Sequence, residues 1–482
     1  MASFKRNYLY QVLYEILAIV LPLITAPYIS RVMGAENLGI FSYSHSVANL
    51  FLMFARLGVV NHGSRSIAAC QKDGEKRNRV FSEIFTIQAV FGLLMTTVYM
   101  IYIVLFVKEN QIIFFLQSIF VISAFFDIGW FFMGMENFKK TVTRNIVVKL
   151  VSLISIFAFV HDRGDLSIYT IISTGSMLLG HITLWVGLKK VVKFVKPSFS
   201  GVWTQLKGCL VMFVPTIAVT IYTVIDKVLL GGLAGETQVG YYDQAAKLVA
   251  VPLGFITSFG AVMLPRMSAL EAEGAHGSEG ISIMNKSLVF MVAVATAISF
   301  GLASVSETLI PVYYGKEFLA CIPLLMLISV KLPFMAWANV IRTQCLIPKH
   351  RDRQFIISLF VGAAVNIVMN LLLITKFKAI GAAIATISSE VAVCLVQSIF
   401  ARDVLPMKKP LLQSFGFVAI GAIMYAIVYI LSITLPFNAL INLCIEIACG
   451  GLIFIGLGGA FYCGVVEKKS PKKVLKSLRK KS

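Results

Sequence analysis

Long runs of apolar residues follow one another along the chain with little sequence between them. Those of bilayer length fall at approximately 8–31, 39–61, 80–107, 111–134, 142–160, 167–188, 208–230, 240–265, 286–312, 319–345, 354–375, 380–401, 411–434 and 440–466. A helix of about 20 apolar residues crosses the hydrocarbon core of a membrane. The runs lack the period-two alternation of a membrane β-barrel. The pattern therefore predicts an all-α membrane protein with about 14 transmembrane helices.

Composition excludes a soluble globular protein. Of 482 residues, 58% are hydrophobic and 14% charged, and the mean hydropathy is +0.85. The loops between the runs are too short for a soluble catalytic domain, and no phosphate-binding G-x-x-x-x-G-K-[ST] motif occurs. The eight cysteines have no C-x-x-C spacing, and no His, Cys and Asp cluster has the spacing of metal ligands. We predict no catalytic residue, cofactor or metal, and no ATP-driven step.

The charge pattern predicts the orientation of the chain. The net charge is +20, which could indicate nucleic acid. If the N-terminus is cytoplasmic, however, most Lys and Arg residues lie in the inner loops and the tail, as the positive-inside rule requires. The outer loops then hold only Arg31, Lys108, Arg163, Lys316, Lys376 and Lys378. We predict that both termini are cytoplasmic, that segment 467–482 is a polybasic tail near anionic lipid, and that nucleic acid is not a partner.

A short motif occurs twice. Gly34-Ala35-Glu36-Asn37-Leu38-Gly39 follows the first run, and Gly235-Glu236-Thr237-Gln238-Val239-Gly240 follows the seventh. Because six runs separate the copies, the copies have the same orientation across the membrane. The repeat predicts two six-helix lobes, 1–197 and 198–403, with two additional helices in 404–466 and a substrate path between the lobes.

Several basic residues lie inside the apolar runs. A charge at the bilayer centre costs about 2.5–3.5 kcal/mol on insertion scales, so it needs a partner, a wet cavity or a function. Lys247 and Lys331 are the deepest, and Lys331 precedes the helix-kinking Pro333. Arg56 and Arg342 lie toward cytoplasmic helix ends, where they either snorkel to the surface or bind substrate. All four are candidate substrate-binding residues.

The second run carries a polar stripe. Ser42, His45, Asn49 and Arg56 lie on one helical face, which cannot point into lipid. They either line a water-filled cavity or pack against other helices.

Acidic residues can balance part of this charge. Asp243 lies four residues before Lys247 on one helical face, and Asp226 is adjacent to Lys227. Glu15 is the first candidate for a proton-coupling carboxyl in an apolar run.

Two segments resemble a known family. Pro27-Tyr28-Ile29-Ser30-Arg31-Val32-Met33-Gly34-Ala35-Glu36-Asn37-Leu38-Gly39 and Gly63-Ser64-Arg65-Ser66-Ile67-Ala68 are similar to segments of Wzx-type O-antigen and capsule flippases. These belong to the multidrug/oligosaccharidyl-lipid/polysaccharide (MOP) exporter superfamily. The resemblance extends over the whole chain in length, span number and two-lobe plan.

The resemblance implies a V-shaped pair of lobes around a cationic cavity. It also implies movement of undecaprenyl-pyrophosphate-linked oligosaccharide from the cytoplasmic to the outer leaflet for surface polysaccharide synthesis. Arg31 matches the terminal arginine of the family's first span, and Lys247 and Lys331 take a cavity-lining role. The implied partners are the lipid-linked oligosaccharide, membrane lipids, and a polysaccharide polymerase or other assembly proteins. The last two helices match a lipid-tail groove of the related lipid II flippases.

Three alternatives stay open at this point. A cation-coupled multidrug exporter would share the lobes, although an excess of basic groups disfavours cationic drugs. A membrane-embedded polysaccharide polymerase or ligase normally needs a large outer loop. A structural scaffold would leave the deep charges without a function.

Overall fold

A computed structural model describes residues 2–273 and 278–466 of the chain, with side chains described from Val20 onward except at positions 138, 139, 222, 278, 279 and 466. The α-helices are α1 Ala2–Arg56, α2 Val59–Ala69, α3 Gly74–Phe106, α4 Gln111–Phe126, α5 Gly129–Gly134, α6 Phe138–Phe159, α7 Leu166–Thr183, α8 Phe199–Ala234, α9 Glu236–Ala272, α10 Ser278–Tyr313, α11 Cys321–Ser329, α12 Lys331–Ile341, α13 Asp352–Ala401, α14 Lys408–Thr434 and α15 Ala439–Phe461. Short 3₁₀ turns cover Arg163–Asp165, Leu188–Lys190 and Lys316–Phe318, and π-helical turns cover Arg342–Leu346 and Tyr462–Val466. The predicted polybasic tail, 467–482, lies outside the described residues.

The described residues contain 12 helical segments that are long and apolar enough to cross a membrane. The prediction of an all-α membrane protein is confirmed. Two of the helices, α1 with 55 residues and α13 with 50, are much longer than a single crossing requires.

Each of these two helices contains one residue with non-helical backbone angles. Gly34 interrupts α1 with φ 73° and ψ 175°, and Lys378 interrupts α13 with φ 51° and ψ −129°. A Cβ atom on Gly381 would lie 2.5 Å from the carbonyl oxygen of Leu373. Residues eight apart in a straight helix are separated by about 12 Å along the axis. The chain therefore turns back sharply at Lys378.

The two copies of the repeated motif have the same backbone geometry. Gly235, the counterpart of Gly34, has φ 92° and ψ 161°, in a region that side chains other than glycine rarely adopt. The last glycines of the two copies also lie against each other. A Cβ on Gly39 would overlap the carbonyl oxygen of Glu236, and a Cβ on Gly240 would overlap that of Ala35. Only glycine allows this close, reciprocal approach.

The chain divides into two compact units, Met1–Gly240 and Tyr241–Ser482. The first unit contains two clusters of buried apolar side chains, one around Phe81 and Trp130 and one around Tyr99 and Val121. The second unit packs α14 and α15 on α10, with Phe417 in the cluster between them.

Three of the predicted runs contain a break between two α-helices in the structure. Residues Asp127 and Ile128 separate α4 from α5, Val330 separates α11 from α12, and Leu57 and Gly58 separate α1 from α2. Gln88 on α3 compensates the first break, because its Nε2 donates to the carbonyl oxygens of Ala124 at 2.6 Å and Asp127 at 2.8 Å. Such breaks are tolerated at membrane depth where side chains satisfy the released backbone groups.

Candidate functional site

The end of α1 brings three elements of the first unit together. After Arg56 the backbone of Leu57 (φ 40°) and Gly58 (φ 73°) is left-handed, which ends α1 and starts α2 in a new direction. A Cβ on Gly58 would overlap the backbone of α8 at Cys209 and would lie 2.8 Å from Phe213 N. The missing side chain thus lets α8 approach the turn.

A cavity of about 240 Å³ lies at this junction. Its polar lining comes from three elements and consists of Asn49 and Arg56 on α1, Asn61 on α2, and Thr216 and Thr220 on α8. The apolar lining includes Leu52, Met53 and Val60. The cavity therefore combines amide, hydroxyl and guanidinium groups on an apolar base.

Arg56 reaches from the cavity to the break between α4 and α5. Its Nη2 lies 3.0 Å from Asp127 Oδ2, and the two side chains are 30% and 14% exposed. Asp127 Oδ1 accepts a hydrogen bond of 3.1 Å from Gly129 N. The helix break thus presents a carboxylate that neutralises the arginine.

His181 on α7 lies beside this ion pair. Its Nδ1 lies 2.9 Å from the carbonyl oxygen of Ser123, and its Nε2 lies 3.8 Å from Asp127 Oδ1. Because a carbonyl oxygen only accepts, Nδ1 carries the hydrogen of the neutral ring. His181 is buried and held by this hydrogen bond.

The predicted polar stripe on α1 divides between two environments. Asn49 and Arg56 line the cavity, whereas Ser42 is buried. His45 Nδ1 is 3.1 Å from Gln117 Oε1, and its ring lies 4.3 Å from that of Phe120 between centroids. The first half of the stripe packs against α4, and only the second half faces the cavity.

In the second unit, the predicted basic residues lie on three different elements. Lys247 Nζ is 2.8 Å from Asp243 Oδ2 on the preceding turn of α9, and Lys247 remains 48% exposed. Lys331 is half-buried and begins α12 after the break at Val330. Arg342 begins the π-helical turn and is described next.

Arg342 lies among neutral groups. Its Nη2 donates to Asn339 Oδ1 at 3.2 Å, and its Cζ lies 5.7 Å from the centroid of the Phe355 ring. Asn339 is held in turn by a 2.8 Å hydrogen bond from its Nδ2 to Ile256 O. Among the residues that the structure describes, no carboxylate lies within ion-pair distance of Arg342.

The remaining predicted residues have simple placements. Arg31 is exposed, Asp226 is buried and Lys227 is half-buried. Glu15 lies outside the residues whose side chains the structure describes. No group of three His, Cys, Asp or Glu side chains suited to a metal ion occurs in the described part of the chain.

Sequence reasoning missed four residues of the cavity and its support. Asn61, Thr216 and Thr220 were not predicted to line a site, and Asp127 was not predicted to pair with Arg56. The spacing of Thr216 and Thr220, one turn apart beside Pro215, was a local signal for a polar helix face. Asp127 and Arg56 are distant in sequence, so no local pattern joins them.

Comparison with known proteins gives a consistent result. The model of the family described as "Polysaccharide biosynthesis protein" matches residues 4–271. A protein of Escherichia coli strain K12 named "Putative O-antigen transporter" is 26% identical over 414 residues, which cover 83% of this chain and 97% of the relative. A Haloferax volcanii protein named "Probable low-salt glycan biosynthesis flippase" is 23% identical over 58% of this chain and 59% of its own length.

A solved structure has the same fold. The lipid II flippase MurJ in an inward closed conformation superposes with a TM-score of 0.77 at 17% identity, covering 95% of this chain and 99% of MurJ. The predicted superfamily fold is therefore confirmed. The prediction of a transporter rather than an enzyme is also confirmed by these relatives.

Proposed function

Because this chain belongs to the polysaccharide biosynthesis protein family, we propose that it is a flippase for lipid-linked oligosaccharides. Its substrate is an undecaprenyl-pyrophosphate-linked oligosaccharide unit, moved from the cytoplasmic to the outer leaflet for O-antigen, capsule or exopolysaccharide synthesis. The observation that carries the proposal is the family match over more than half of the chain, together with relatives named as an O-antigen transporter and a glycan flippase.

The architecture that we propose has 14 membrane crossings. A helix of 55 residues would be about 80 Å long if straight, against a hydrocarbon core of about 30 Å. The turns at Gly34 and Lys378 support two crossings in each of α1 and α13, in addition to ten single ones. An even number places both termini on one side, and the basic loops favour the cytoplasm. The repeat supports the lobes 1–197 and 198–403, with 404–466 as an additional helix pair.

The proposed mechanism rests on electrostatics. A lipid pyrophosphate carries about two negative charges, and basic groups in a wet cavity replace its lost hydration. We assign this role to Arg31, Lys247, Lys331 and Arg342. Arg56, which is paired with Asp127, contacts the substrate outside the pyrophosphate. An inside-negative potential favours outward movement of the anion by about 2.3 kcal/mol per charge per 100 mV. Alternating access moves the sugar through the cavity while the polyprenyl tail stays in lipid.

Reconstitution tests this function. Proteoliposomes that contain the wild type should move a fluorescent undecaprenyl-pyrophosphate oligosaccharide to the opposite leaflet, and Lys331→Met should slow this movement about tenfold because a charge-assisted contact is lost. Lys247→Ala would also break the 2.8 Å ion pair with the buried Asp243. Lys316→Met, at an exposed position, is the matched control.

Two outcomes would contradict parts of the proposal. Absence of movement by the wild type across several glycans, at matched insertion, would argue against a flippase of these lipids. Equal rates for Lys331→Met and Lys316→Met would remove Lys331 from the substrate path and leave the family membership intact.

A further inference from the structure

The cavity at the end of α1 differs from a site for an anionic phosphate. Among the described residues that line it, Arg56 is the only one with a charged side chain, and its guanidinium is paired with Asp127 at 3.0 Å. A bound pyrophosphate would have to compete with this carboxylate. The electrostatics therefore favour an uncharged ligand.

The hydrogen-bonding groups of the cavity both donate and accept. Asn49 and Asn61 each offer an amide oxygen and an NH₂ group, and Thr220 offers a hydroxyl. Thr216 Oγ1 donates to Met212 O at 3.2 Å, which leaves its lone pairs as acceptors. Phosphate oxygens only accept, so they could not pair with the amide oxygens or with Thr216. Sugar hydroxyls donate and accept, and they suit all of these groups.

The size of the cavity also fits a sugar. Its volume of about 240 Å³ is sufficient for one hexose-sized ring.

We propose that this cavity is a sugar subsite, which binds one neutral sugar residue of the lipid-linked oligosaccharide through its hydroxyl groups. This inference rests on the proposed function. It adds that the sugar is the part of the substrate that binds in the first unit. Asn61, Thr216 and Thr220 are its specificity-determining residues, with Asn49 and Arg56 completing the lining. The pyrophosphate is bound elsewhere.

The test compares two kinds of lipid in nanodiscs. The probes are undecaprenyl pyrophosphate without sugar and undecaprenyl pyrophosphate that carries glucose, galactose or N-acetylglucosamine. The wild type should bind at least one sugar-bearing lipid about tenfold more tightly than the sugar-free lipid. Thr220→Val and Asn61→Ala should each reduce that gain about fivefold, because each removes hydrogen bonds to sugar hydroxyls.

The variants have an internal control. Affinity for the sugar-free lipid should stay unchanged in both, which also shows that they are folded. Thr223→Val is the matched substitution, because Thr223 lies on the same helix, is exposed, and bonds through its hydroxyl to the backbone oxygen of Val219 at 2.9 Å. It should bind every probe as the wild type does.

The outcomes separate the two proposals. If the wild type binds the sugar-free lipid but gains nothing from any sugar, the subsite is refuted and the flippase proposal stands. If Thr220→Val and Thr223→Val lose the sugar gain equally, the cavity is not the subsite. If the wild type binds none of the lipids, the proposed function itself fails.

Discussion

Arg56 in the first unit and Arg342 in the second both lie at the end of an apolar helix, but in very different environments. Both follow apolar helices toward the predicted cytoplasmic side. Arg56 is bound by the carboxylate of Asp127, whereas Arg342 donates to the neutral amide of Asn339 and lies over the ring of Phe355. The first arginine is paired with a carboxylate, whereas the second has no carboxylate within ion-pair distance among the described residues. The comparison shows that counting cations in the sequence overstates the charge that each region presents to a substrate.

The largest expected effect comes from removing the balancing charge. Asp127→Asn should lower the free energy of unfolding by about 3 kcal/mol, because it leaves the partly buried guanidinium of Arg56 without its counter-ion. The asparagine retains a side-chain oxygen for Gly129 N, so charge is the main change. Thermal unfolding in detergent would measure the loss, with the exposed Glu109→Gln as control. A variant as stable as the wild type would mean that the ion pair does not stabilise the fold.

A smaller difference is expected between the two arginines in lipid binding. Arg342→Met should weaken the binding of sugar-free undecaprenyl pyrophosphate about tenfold, because it removes an unbalanced charge. Arg56→Met should weaken it less than about threefold, since the charge of Arg56 is already neutralised by Asp127. Titration of both variants in nanodiscs would measure this. Equal losses would remove the electrostatic distinction between the two sites.

The smallest expected effect is on stability at low pH, and it concerns a third arginine, which lies outside the predicted spans. Arg351 Nη1 is 2.9 Å from Asp403 Oδ1 in a two-bonded pair, and this hydrogen bonding holds the pKa of Asp403 below its usual range. The pair therefore stabilises the fold above the unfolded-state pKa of about 3.9, and that stabilisation is lost as the pH falls through the lower folded-state pKa. Asp403 is 55% exposed, so the effect should not exceed about 1 kcal/mol.

The free energy of unfolding, measured between pH 3 and pH 7, should show this loss of stabilisation. Asp403→Asn should be less stable than the wild type at neutral pH and should approach it at the acidic end. A constant difference across this range would show that the pair contributes nothing through its charge.

The sequence predicted the helices well because lipid imposes a strong constraint on long apolar runs. It also located the turns at Gly34 and Gly235, where glycine is needed for a positive φ. The breaks at Asp127 and Val330 were not predicted, because they lie inside runs that stay apolar on average. At the break beside Asp127, the released carbonyl oxygens accept hydrogen bonds from Gln88. Gln88 is distant in sequence, so no local pattern connects it to the break.

The candidate site shows the same limit. The pair Asp243–Lys247 was visible because its members are one helical turn apart. The pair Arg56–Asp127 depends on how α1 packs against α4. The cavity was only half predicted, since Asn49 and Arg56 lie on a periodic stripe whereas Asn61 and Thr220 come from other elements.

The reciprocal contact of Gly39 and Gly240 has a consequence for how this chain can change. Each glycine lies against the backbone of the other copy of the motif, in the way that identical subunits meet across the axis of a symmetric dimer. The two copies of the motif in one polypeptide thus make the kind of reciprocal contact that two identical subunits make. A side chain at either glycine would overlap the backbone of the other copy of the motif. Substitution of one glycine is therefore not accommodated by a change at the other, and both positions require glycine.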